Sequence, residues 1–389
     1  MMVVRSGLHL ALLVATVPAC AAPGEPITTG EIVGGTSTSI GASTTGVLAS
    51  SGEITGASEV TSVGTEEAGT VEASAEASSG GDSSSGDVEI PSEAIGWAGV
   101  AAEGVNGTIG GAGGATVVVT TLEALEEQAA GEEPRIIQIS GVLNGYVTLA
   151  GSNKTIEGLP GAELYGGISL FGTTEAPLRN IIVRNLRIVA PPCESDCEEY
   201  DALSLRWAHH VWIDHCDLWD GTDGNLDITR ESDYVTVSWT RFSYSDPELP
   251  VRQSNLVGGA DEHVEDADDL RVTFHHNWWT ENVAKFMPRI RFGQVHLFNN
   301  YYTAVDNDDC IRLGLQANAV IEGNVFEGAE HPLGDSVDET AVVRAIGNSA
   351  TPEPVEDLVI GDAFTPPYPY TLDPVDEVAE RVRAGAGTP

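Results

Sequence analysis

The sequence predicts an all-β fold, a right-handed parallel β-helix (solenoid) with an N-terminal capping helix. Three observations predict it: a strand pattern repeated six times, an Asn recurring at its turn, and one amphipathic segment upstream. The pattern reads IIVRNLRIV from Ile181, VWIDHCDLW from Val211, VTVSWTRFS from Val235, VTFHHNWWT from Val272, VHLFNNYYT from Val295 and AVIEGNVFE from Ala319. Apolar residues alternate as on a strand, a turn residue follows, and another apolar pair comes after it. The turn residues are Asn185, Cys216, Thr240, Asn277, Asn300 and Asn324, at intervals of 31, 24, 37, 23 and 24 residues. A period in the low twenties with two insertions marks stacked coils. Asn side chains at equivalent turns can hydrogen-bond along the stack. A β-sandwich of evenly spaced strands gives no reason for that recurrence.

From the N-terminus, residues 1–20 read as a secretory signal, with Arg5, an apolar run from Leu8 to Val17, and then Pro18-Ala19-Cys20-Ala21-Ala22. The run is too short for a membrane-spanning helix, and no other segment is apolar enough. Two ends of the signal stay open: cleavage after Ala21, or a lipoprotein box with Cys20 lipidated. The long tether that follows favours the second. Residues 21–91 are dominated by Gly, Ser, Thr, Ala and Glu, without Lys, Arg, Trp, Tyr or Phe. Such a segment cannot bury enough apolar surface to offset ordering, so a disordered acidic linker is expected. The folded domain is expected over 92–389, in a secreted or cell-surface protein. Within it, Thr121–Ala130 predicts the capping helix, with Thr121 as N-cap and Leu122, Leu125 and Ala129 as its apolar stripe. Arg135–Ser140 reads as the next strand.

The chain carries 59 Asp and Glu against 18 Lys and Arg, a net charge of −41. Nucleic acid is excluded as a partner, because phosphate contacts need basic patches. Most of these acids suit a solvated shell that attracts cations, and a monomer is expected. Cys193, Cys197, Cys216 and Cys310 form an even set for disulfides in a secreted chain, with the pairing open among three arrangements. Asp214, Asp217, Asp220, Asp223 and Asp227 crowd the strand ends of Val211–Trp239. Carboxylates converging there suit calcium, which takes six to eight oxygen ligands.

VWIDH, DGNLDI, SDYVTVSW, VTFHHNWW and PRIRFGQVHLFNNYY, in this order, resemble the pectate lyase family, polysaccharide lyase family 1. GVNGTIGGAGGATVVVTTLEAL resembles the same family's glycine-rich opening, so the likeness runs from about Trp97 to Phe326. The resemblance implies calcium-dependent β-elimination on polygalacturonate, giving 4,5-unsaturated oligogalacturonides. It also implies calcium ligands at Glu199, Asp201, Asp223 and Asp227. Asp214 and His215 also align but read as packing of the coil, and His275 and His276, which could suggest a metal, read as hydrogen-bonded ladder histidines. The family's R-x-P-x-x-R places a substrate-binding Arg at Arg291, but the proton-abstracting position falls on Phe286. Lys285, one of two lysines in the chain, is the substitute base, and reaching the site from there needs a bulge or a one-residue slip. Arg289 is a further substrate-binding candidate. A second basic position of the family falls by strict spacing on Gln253, with Arg252 beside it as the substrate-binding candidate. Phe286 keeps open a weakly active or inactive pectin-binding relative. A pectin lyase is the remaining alternative, although such enzymes dispense with protein-bound calcium.

Overall fold

The six repeated segments lie in one register. Ile181 pairs with Val211, Val211 with Val235, Val235 with Val272, Val272 with Val295 and Val295 with Ala319, all parallel. All six side chains are buried. The computed structural model describes residues 93–190, 200–334 and 337–389. The expected signal, the whole of the linker, Cys193, Cys197 and Glu199 lie outside the described residues.

Parallel pairing dominates two large sheets, of eleven and fourteen strands. Strand Glu163–Phe171 pairs with Arg187–Val189 through its first residues and with Leu203–Arg206 through its last. It thereby bends around a corner and joins two faces of the coil into the larger sheet. The interior is filled by inward side chains of all faces. One aromatic file runs Phe242, Trp279, Tyr302 and Phe326, with successive centroids 5.1, 4.6 and 4.4 Å apart. Period-two alternation points these rings inward, and one residue per coil at the same register forces them to stack.

The Asn ladder is present and longer than the sequence indicated. Asn300 Oδ1 accepts from the Asn277 backbone N–H and side-chain amide at 2.9 and 3.0 Å, and Asn324 Oδ1 does the same for Asn300 at 3.0 and 2.9 Å. Asn348 adds a rung beyond Asn324. At the other end the Thr240 amide donates to Asn277 Oδ1. Asn185 is a correction, because it sits one residue earlier. It has φ 55° and shares the left-handed corner with His215, Trp239, His276 and Asn299. The column there is filled by Leu186, which is fully buried. An Asn tolerates a left-handed corner as readily as a ladder, so composition alone did not separate the two.

Helix Leu122–Ala129 caps the coil as expected, with Thr121 Oγ1 accepting from the Ala124 amide at 3.2 Å and Leu125 and Ala129 buried. A second helix, Val375–Gly385, was not anticipated. It packs Val378 and Val382 on Tyr301, and its Val375, Val378, Val382 spacing was the available signal. Full disulfide pairing of the four cysteines is also corrected, since Cys216 and Cys310 are buried free thiols. Cys216 donates to the Val183 and Asp214 carbonyls, and Cys310 accepts from Asn307.

Candidate active site

One outward column crosses the face made by Leu203–Arg206, Leu226–Thr229, Asn255–Val257, Arg289–Ile290 and Arg312–Leu313. It reads Ser204, Asp227, Leu256, Arg289, Arg312, in strict register. Asp227 and Arg289 are thus two rungs apart, about 10 Å at the usual strand spacing. Acid lies at one end of the column and cations at the other.

At the acid end Asp201, Asp223 and Asp227 converge, each offering a carboxylate oxygen within 4.8 Å of the others. Asp227 comes from a strand, Asp201 from just before Leu203–Arg206, and Asp223 from a turn whose Thr222 and Asp223 amides donate to the Tyr200 carbonyl. Gly224 makes the approach possible. A Cβ there would lie 3.2 Å from Asp201 Oδ1 and 3.5 Å from Asp227 Oδ1. Burial and the Asp223 carboxylate push the Asp227 pKa up to about 7, and burial with Asp227 and Asp223 holds Asp201 well above the usual carboxylate range. Asp201 Oδ1 is buried without a hydrogen-bond donor. A hard cation fits this donor set: oxygen ligands, surplus negative charge and an unsatisfied buried oxygen. Glu199, two residues before Asp201, lies outside the described residues.

Lys285 pairs in parallel with Gln253, and the Gln253 amide in turn donates to Asp223. Lys285 therefore shares the face of the acid cluster. Phe286 supplies the irregularity, with φ 60° breaking strand alternation. The Phe286 ring is buried, with Lys285 Nζ, Arg289 Cζ and Arg312 Cζ at 5.2, 5.3 and 6.0 Å from its centroid. Such cation–ring contacts are attractive, so an apolar ring gathers three cations where a fourth cation was expected. Arg289 also has a buried Nε with no acceptor. A cleft of about 610 Å³, lined by Asp306, Asp308, Asp309, Arg312 and Glu330 among others, continues beyond them.

The other arginines are more committed. Arg291 is buried, its Nε donating to Asp261 at 2.6 Å and its Nη1 to the Gly258 and Gly259 carbonyls at 3.1 and 2.9 Å. Arg252 donates to the Asn282 carbonyl at 2.9 Å. Gln253, not Arg252, lines the site, because adjacent residues of an extended segment point oppositely. Asp214 and His275 end strands of the eleven-stranded sheet, away from this face, and His215 and His276 sit at the corners that follow. Asp214 binds His215 and Ser238, His275 binds His276, and His276 binds Asp373. Arg312 was missed by the motif reading; its register with Arg289 is a tertiary fact.

A family model described as "Pectate lyase" matches residues 83–377. A pectate trisaccharide-lyase of Thermotoga sp. (strain RQ2) is 33% identical over 344 residues, covering 75% of this chain and 88% of that protein. One from Bacillus licheniformis is 31% identical over 309 residues, covering 72% and 83%. Among solved structures, the pectate lyase of Bacillus sp. N165 in complex with trigalacturonate superposes with a TM-score of 0.61 at 24% identity, covering 75% of this chain and 98% of that one.

Proposed function

The chain belongs to the pectate lyase family and is a polysaccharide lyase, and on that premise we propose that it cleaves polygalacturonate by β-elimination with calcium bound. Asp201, Asp223 and Asp227, with Glu199, would hold the ion. The observation that carries this reading is the convergence of three carboxylates around the unsatisfied Asp201 Oδ1. When bound, calcium neutralises the uronate carboxylate and makes the neighbouring C5–H more acidic.

The chain's own residues supply the rest. Arg289 and Arg291 orient the uronate carboxylate, for which a planar guanidinium is suited; Arg291 brings Nη2, since its other nitrogens already bind the Gly258–Asp261 segment. Lys285 takes the proton as the C5–H bond breaks. The electron pair of that bond becomes the C4–C5 double bond, and the bond from C4 to the bridging oxygen breaks. The signal at 1–20 and the linker at 21–91 fit export of a domain over 92–389, freely secreted or tethered at Cys20. No helix among the described residues is long and apolar enough to cross a membrane.

Phe286 favours one second reading, a relative that binds pectin with little or no turnover. Ultraviolet absorbance of the unsaturated product, followed on polygalacturonate with calcium and with chelator, separates the two. Activity that needs calcium and vanishes in Lys285→Ala, with polymer binding retained, is expected. Binding without product sinks the enzymatic reading, and full activity in Lys285→Ala removes Lys285 as base.

A further inference from the structure

Gln253 lies between the acid cluster and Lys285 and touches both. Its Nε2 donates to the Asp223 carbonyl at 2.7 Å and to Asp223 Oδ1 at 3.2 Å. Both partners are acceptors, so the orientation of the amide follows from the contacts. The Gln253 backbone is anchored as well. Its carbonyl accepts from the Tyr244 hydroxyl at 2.6 Å, its backbone bridges to Lys285, and Tyr244 is 2% exposed. The side chain therefore reaches Asp223 from a fixed base, and grips the turn and the carboxylate together. Asp223 has one backbone tie of its own, the amide contact to Tyr200.

The contact also adds no charge. A cationic side chain at this distance would neutralise Asp223 and occupy the attraction that a metal ion would otherwise use. A neutral donor fixes the carboxylate and brings no positive charge of its own to Asp201, Asp223 and Asp227. We propose that Gln253 is a positioning residue for divalent-cation binding, holding the Asp223 carboxylate in its ligating rotation without competing with the ion. This rests on the calcium reading above.

Titration of calcium chloride into the intact chain, followed by calorimetry, tests it in Gln253→Met and Gln253→Lys. Met keeps the length and loses the donor. Lys keeps a donor and adds a charge. Outer-shell contacts of this kind typically change metal affinity by about 10- to 100-fold, so calcium affinity is expected to fall at least about tenfold in both variants. A purely structural role would instead lower the melting temperature in chelator and leave the affinity unchanged. Wild-type affinity in Gln253→Met overturns the proposal. Should that variant fail to fold, wild-type affinity in Gln253→Lys overturns it in the same way. A wild-type chain that binds no calcium overturns the calcium reading itself, a distinguishable failure.

Discussion

Removing one charge from the acid cluster should stabilise the calcium-free protein, and the structure sets how much. The Asp227 carboxyl is raised from an ordinary 3.8 to about 7 by burial and by Asp223. A carboxyl with a raised folded pKa binds its proton more tightly folded than unfolded, so its stability contribution is complete below about pH 4. It is lost as pH climbs to about 7. Roughly three pH units at about 1.4 kcal/mol each give about 4 kcal/mol of repulsion and desolvation above pH 7. Asp201 shares this environment, so part of the relief falls to it, and about 2–4 kcal/mol is expected for Asp227→Asn. The assay is urea unfolding in chelator at pH 8 and pH 4, with and without the substitution. At pH 8 the variant should be more stable than wild type, at pH 4 about equal, and saturating calcium should reverse the order by stabilising only the wild type well. Equal destabilisation by Asp227→Asn at both pH values would refute the reasoning, since it would make Asp227 an ordinary structural carboxylate.

Asn300→Ala should cost about 3–5 kcal/mol in the same assay, because it strips partners from the Asn277 amides and from the Phe274 carbonyl, each buried orphan costing about 1–3 kcal/mol; a loss below about 1 kcal/mol would show the ladder to be incidental. His275, His276 and His296 are held below the usual histidine pKa, mainly by burial. The unfolded chain therefore takes up their protons first, and their contribution to stability should fall as pH drops below about 6.5; Asp201 and Asp269 push the other way, so the trend is read against His296→Gln, and an identical pH dependence of the two proteins between pH 6.5 and 5 would contradict it. Phe286→Arg should lose stability and gain no activity over wild type, because the new guanidinium would meet Lys285, Arg289 and Arg312 around the same buried position. A gain in product formation would instead show that the base is missing and Lys285 is not it.

Much of the fold was legible because a solenoid writes its register into the chain. The starts of the six segments pair directly, since each coil must place the same apolar residue at the same depth. Asp223 and Asp227 were legible as an acid pair on a short β scaffold, and their meeting with Asp201 follows from coil stacking. Asn185 was misplaced by one residue, because sequence patterns fix an interval and not which side of a corner a residue occupies. Whether Lys285 could serve depended on the backbone at Phe286. A φ of 60° at one residue decides which neighbour faces the groove, and no periodicity encodes it. The partners of Gln253, the engagement of Arg291 by Asp261 and the cation ring around Phe286 were tertiary for the same reason. The Gln253–Asp223 and Arg291–Asp261 contacts each join residues 30 positions apart, through side-chain directions that only the completed coil defines. By itself the sequence determined the coil and its family, and pointed to Asp223 and Asp227 as an acid pair. The tertiary structure decided which cations face those acids, because facing is set by local dihedrals and by the rung above and below.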